Sequence, residues 1–339
     1  YSSSVLVDSL VLRNPPERKA QNVSYNFMKK IPLILLFILI FGLANSQNKQ
    51  IIETSDIENF WKAFDKLKYA SNKNDSINII QTEYIDISTK FFKEFIKVRN
   101  FKAEEYVSLI HKYPKFWSSI RKETENVKNR KDDIEKILDK YEKEIPNFKR
   151  PNVCFAIGCL RTGGTVSDNL ILIGTEIAAS TQETEKSELS NWLKSVIGTF
   201  GDIVSMVSHE TIHTQQKGNL SDLAEHSISE GVADFLSEKI SGLTINKIAF
   251  KYGLENDCDL RKEFLFNYSK NKTDISNWLY NGSKSKNRPA DLGYYIGYRI
   301  AEEYYNKAVN KEKAILDLLK RKKNKKIFKK SEYINKSCS

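Results

Sequence analysis

The feature that most constrains this chain is the run His209-Glu210-Thr211-Ile212-His213, an HExxH motif within residues 208–242, which hold three of the four histidines. On an α-helix, positions i and i+4 lie one above the other, so both imidazoles reach a single zinc ion at about 2.0–2.1 Å. Glu210 is rotated off that line and faces the water such an ion carries. A chain built around this motif needs a rigid helix with a cavity above it. The plainer alternative is a buried helix that carries two histidines and no metal.

A second helix is predicted from Leu223 to Ile240, with Ser221 or Asp222 placed to cap it and Gly242 just past its end. A catalytic zinc takes three protein ligands and keeps one position open. Glu230 follows His213 by 17 residues, enough for a turn and a returning helix, and is the expected third ligand. Gly231 and Ala233 remove bulk beside it, which is expected to let this helix approach the first closely. Asp234, one turn after Glu230, is placed to accept the outer N–H of His209 or His213. Glu225 and His226 are the rival third ligands. The spacing HExxHxxGxxH is absent, because Asn219 stands six residues after His213.

HExxH followed by ExxxD resembles the gluzincin metallopeptidases. The resemblance implies zinc held by His209, His213 and Glu230, with Glu210 as general base. The run Gly293-Tyr294-Tyr295-Ile296-Gly297-Tyr298-Arg299-Ile300-Ala301, with the strands near residue 160, is similar to an uncharacterised bacterial family of predicted zinc-dependent proteases, to which gliding-motility lipoprotein B looks related. The resemblance covers roughly residues 150–305 and implies a zincin-like fold but no particular substrate. The GxMEN pattern of related aminopeptidases is missing, which points to an endopeptidase.

Elsewhere the chain divides by composition. Residues 1–27 contain no Met and read as an upstream segment translated from a misplaced start. Residues 28–46 have the basic start, apolar run and Ala44-Asn45-Ser46 site of a secretory signal peptide, so export to the periplasm or beyond a bacterial cell is expected. No Cys lies near that site, and no lipid anchor is expected. Residues 47–148 read as a helical region: Ile57, Phe60, Trp61, Phe64 and Leu67 form one apolar stripe behind a Ser55/Glu58 capping box. Further helices fit Ile77–Val98, Ala103–Tyr113 (stopped by Pro114) and Asp132–Ile145. His111 stands alone on such a helix and reads as structural.

Residues 149–308 form the expected catalytic region. Val153–Leu160 and Leu170–Gly174 are apolar, branched runs that read as a β-hairpin, whose free edge is expected to pair with an extended peptide. Helical spacing continues through Ser187–Phe200, and the motif helix is expected over Gly201–Gln216. Pro289 starts a last helix, with Gly293 and Gly297 on one face and Tyr294 and Tyr298 on the next. Either tyrosine is a candidate to stabilise an oxyanion, with core packing as its alternative.

The formal charge is +11, and residues 311–339 contribute 11 basic against three acidic groups. This run, through KRKKNKKIFKK, reads as a basic tail (residues 309–339) in loose contact with an anionic envelope surface. Export argues against nucleic acid as its partner. Of four cysteines, Cys154 and Cys159 stand too far apart along one strand to pair, and Cys258 and Cys338 are open to several pairings. The expectation is an α+β protein, mostly helical and zincin-like, acting as an exported zinc peptidase on peptide or protein substrates. The alternative is a zinc-stabilised scaffold of the bacterial cell envelope.

Overall fold

Helical apolar spacing builds the amino-terminal half of this computed structural model, which describes residues 50–199, 202–282, 284–285 and 287–338. The upstream segment and signal peptide expected over residues 1–46 lie outside the described residues. Strand β1 (Ile52–Glu53) leads into α1 (Ser55–Lys66), which buries Ile57, Phe60, Trp61 and Ala63. The predicted stripe is therefore the buried face. The capping box is not formed: Thr54 occupies the N-cap, and the Ser55 backbone N–H and hydroxyl both donate to Glu53 Oε1.

The expected helix Ile77–Val98 is two helices, α2 (Lys73–Ile80), which runs into a π turn, and α3 (Lys90–Arg99). Thr89 breaks it by capping Phe92 N while its own N–H and hydroxyl donate to buried Asp56. After α4 (Ala103–Lys112), Pro114 does more than stop a helix. It starts α5 (Pro114–Asn126) from the first-turn position, where its missing N–H costs nothing. Helix α6 (Lys131–Glu144) closes this half, and the Tyr84 and Tyr106 hydroxyls tie it to the sheet by donating to Ile157 O at 2.6 and 2.8 Å.

The sheet corrects the predicted hairpin. Strands β2 (Asn152–Ala156) and β4 (Leu170–Gly174) are parallel neighbours, in register from Asn152–Leu170 to Ala156–Gly174, and β1 extends β2 in parallel. The hairpin lies between β3 (Gly164–Ser167) and β4, turning at Asp168 and Asn169, so the strand order is β1-β2-β4-β3. Strands β2 and β4 are buried almost throughout, as continuous apolar runs in parallel pairs are, while half-buried β3 forms an edge. The turn out of β2 is fixed by Glu176, which accepts from Gly158 N and Leu160 N at 2.8 and 2.9 Å. Glu176 belongs to the short α7 (Thr175–Ala178), and α8 (Asn191–Val196) is all of the helix expected over Ser187–Phe200 that is helical among the described residues.

Helix α9 (Ile203–Gln215) carries the motif and is buried along nearly its whole length, with Asp202 capping Val204 N. Helix α10 (Leu223–Ser241) follows, capped by Asp222 at Glu225 N, with Gly242 left-handed at its end. Then come α11 (Lys247–Glu255), α12 (Asp257–Lys270) and α13 (Leu292–Lys307), the last beginning later than Pro289 suggested. Gly231 does not serve the approach of α10 to α9. A Cβ there would lie 2.0 Å from Gly297 C, and one on Gly297 would lie 1.7 Å from Ser227 O. The two glycines let the backbones of α10 and α13 touch.

The expected loose basic tail is folded. Helices α14 (Lys311–Leu318) and α15 (Asn324–Ser331) bury Ile315, Leu318 and Ile327. Asn324 donates to Glu225 O at 3.0 Å, and a Cys258–Cys338 disulfide pins the end. Lysines dominate this segment's composition and hide a short apolar face. Cys154 and Cys159 are buried free thiols. Among the described residues no helix is long and apolar enough to cross a membrane.

Candidate metal centre

Two helices supply the cluster. Helix α9 presents His209 and His213 toward α10, which answers with Glu230 and, one turn on, Asp234, while Glu210 faces the edge strand β3. His213 Nε2 lies 3.0 Å from His209 Nε2 and 3.2 Å from Glu230 Oε2, and His209 Nε2 lies 3.6 Å from the same oxygen. A tetrahedral ion with arms of 2.0–2.1 Å spans ligand–ligand edges of about 3.3 Å. The three measured edges bracket that value.

The outer nitrogens decide the protonation of the inner ones. His209 Nδ1 lies 2.7 Å from Asp234 Oδ1, a carboxylate that can only accept, so Nδ1 carries the proton. His213 Nδ1 lies 2.9 Å from Gln216 Oε1, and that amide is oriented by its Nε2 donating to Ser229 O at 2.8 Å. In the neutral rings both Nε2 atoms therefore carry lone pairs, which face one another beside a carboxylate oxygen. Such a donor set fits a divalent metal ion, and His209, His213 and Glu230 are the residues that would hold it.

Burial works against charge here, and the neighbours decide the outcome. It lowers the histidine pKa values, but Asp234 and Glu230 outweigh it at His209, and Glu230 does so at His213, leaving both raised. Burial pushes Glu230 up, yet His213 and His209 hold its carboxyl well below the usual range. At Glu210 burial prevails over His213 and His209 and the carboxyl is raised, which suits a group that must take a proton near neutral pH. Glu210 lies under the edge strand so closely that a Cβ on Gly164 would come within 2.5 Å of its Oε1.

The structure separates the other candidates. Tyr294 lines the cavity, its ring stacked at 6.2 Å on His209. Tyr298 lies away from it, packed at 4.5 Å on Phe250 with its hydroxyl 3.3 Å from Glu238, so the oxyanion role considered for it is withdrawn. The rivals for third ligand also face elsewhere: Glu225 accepts from the Ser221 N–H and hydroxyl, and His226 is not among the cavity residues. His111 holds Val107 O within its own helix.

Three contributors went unread in the sequence. Tyr280, in the loop before α13, donates to Glu230 Oε1 at 2.7 Å, and Asn246 donates to Asp234 Oδ2 at 2.6 Å. Neither has a local signal. Gln216 stands three residues after His213, so helical spacing could have shown it on the same face. The cavity over the cluster has a volume of about 820 Å³, with residues 162–166 of the β3 edge along one wall.

The profile of the gliding motility protein GldB family matches residues 44–335. The chain belongs to that family. Its lipoprotein-type designation supports a location at the bacterial cell envelope. No curated protein and no solved structure matches the chain.

Proposed function

We propose that this chain is an exported, zinc-dependent endopeptidase with a zincin-like active site. The observation that carries the reading is the juxtaposition of the two Nε2 atoms and Glu230 Oε2, with Glu210 beside them and outside the ligand set. A structural metal site is closed by four protein ligands and needs no base. Here three converge on an open cavity of about 820 Å³.

Zinc held there supplies a Lewis acid that polarises a carbonyl and makes water more acidic. Glu210 takes the proton from the attacking water and returns it to the leaving amine. Asp234 and Gln216 fix the imidazoles in the tautomer that leaves Nε2 free, and Tyr280 restrains Glu230. Tyr294, half-buried against His209, is the remaining tyrosine candidate for the oxyanion. Edge strand β3 ends the sheet, so an extended substrate has a backbone to pair with beside the cluster. Exposed Lys325, Lys326, Lys329 and Lys330 are available for loose contact with an anionic envelope surface. The test is metal content together with cleavage of a broad mixture of unfolded proteins by the purified chain. Bound zinc without cleavage favours the scaffold alternative.

A further inference from the structure

Three arginines line the cavity, and they are not equivalent. Arg161 is engaged: its guanidinium binds Glu105 at 2.8 and 2.5 Å and donates to Arg99 O at 2.7 Å. Arg99 donates only to Thr162 Oγ1, at 3.2 Å, and Arg321 only to Gly218 O and Gln216 Oε1, each at 3.2 Å. Among the described residues neither of these two has a carboxylate partner, and the Nε of each is buried without an acceptor. Burial lowers the pKa of both, and Glu210 at Arg99 and Glu230 at Arg321, each beyond ion-pair distance, offset only part of that cost.

Their placement is built by distant segments. Arg99 ends α3 and stands on the wall shared with Thr162 and Glu210. Arg321 comes from the carboxy-terminal segment, where Lys217 N donates to Leu319 O and Arg321 N to Lys217 O, fastening that segment to the end of α9. A half-buried guanidinium that only neutral oxygens meet is poorly compensated, and a ligand carboxylate supplies the missing partner. A divalent ion on the cluster would add positive charge to the same cavity.

We propose that Arg99 and Arg321 form anion-reading subsites in this cavity, selecting peptides with carboxylate side chains beside the segment seated over the cluster. The inference rests on the peptidase reading for what occupies the cavity, but its test does not need turnover. Fluorescently labelled peptides of one Ala-rich sequence, carrying Glu, Gln or Lys at the same positions, are titrated into the zinc-loaded, full-length Glu210→Gln variant and followed by anisotropy. The Glu peptide is expected to bind at least about tenfold tighter than the Gln peptide, as a charge-assisted bond gives, and the advantage should shrink with salt. Arg99→Gln and Arg321→Gln should each lose part of it, and Arg→Lys should restore some. Equal affinity for the Glu and Gln peptides overturns the proposal without any arginine variant. An acidic preference that survives Arg99→Gln/Arg321→Gln also overturns it, by assigning the carboxylates to the metal. Selective binding with no cleavage by the unsubstituted chain removes the peptidase reading and leaves the subsites standing; cleavage indifferent to peptide charge does the reverse.

Discussion

His209 Nδ1 and Asp234 Oδ1 are 2.7 Å apart, and the other Asp234 oxygen is held by Asn246 at 2.6 Å. The contact joins α9 to α10 and sets the direction in which the His209 lone pair points. Asp234→Ala removes that orientation while leaving all three ligands in place. Zinc affinity should then fall about 10–100-fold, measured by competition with a chelating dye. Unchanged affinity would make Asp234 a packing residue.

The third ligand is tested by pairing two substitutions on the same helix. Glu230→Ala deletes an oxygen that lies 3.2 Å from His213 and should abolish tight zinc binding. His226→Ala, outside the cavity, should leave one equivalent of metal in place. The opposite result would assign the ligand set wrongly.

Stability should depend on Glu176, remote from the metal chemistry. Burial pushes this carboxyl up to about 7, with the amides of Gly158 and Leu160 opposing, against an ordinary value of 4.5. Between those values the folded state binds more protons than the unfolded one, so stability is lost as pH rises through the window. Glu176→Gln should remove this dependence. The stability of the wild type relative to the variant should drop by up to ~3 kcal/mol between pH 4 and pH 8, read from urea midpoints. Parallel curves would show that Glu176 titrates normally.

What the sequence made legible was local. The candidate ligands His209 and His213 share a helix face by spacing alone, and Gly242, with a cap at Ser221 or Asp222, marks the ends of α10 by residue type. Pairing between distant strands was not legible, because Val153–Phe155 and Ile171–Ile173 are apolar runs that suit a hairpin or a parallel pair equally. Thr89 breaks a helix through Asp56, 33 residues away, and Tyr280 reaches Glu230 across 50 residues. Such contacts are decided by tertiary packing. The carboxy-terminal segment was misread for another reason: in α15 the inward face is only Ile327, half-buried Phe328 and the polar Asn324 and Ser331, too few apolar residues to stand out among lysines.

That segment gives a prediction opposite to the one its charge suggests. Truncation after Lys320 removes Arg321, buried Ile327 and Tyr333, and the Cys258–Cys338 disulfide. The truncated protein should be less stable, with about 2–5 kcal/mol attributable to the disulfide alone. Cys258→Ser in the full-length chain isolates that share in denaturant unfolding. A truncated protein as stable as the full chain would return the segment to the role of a loosely attached basic tail.

Glu210 separates the peptidase from a zinc-holding scaffold most directly. It lies between the two histidines on α9 and outside the cluster of ligand atoms, buried beside them. Zinc content, thermal unfolding and turnover on a broad mixture of unfolded proteins should be measured side by side for the wild type and Glu210→Gln. The variant should keep its zinc and its fold and lose at least about 100-fold in turnover, the range expected when a positioned general base is removed. Equal cleavage by both proteins, or zinc-loaded wild type as inert as the variant, would contradict the assignment.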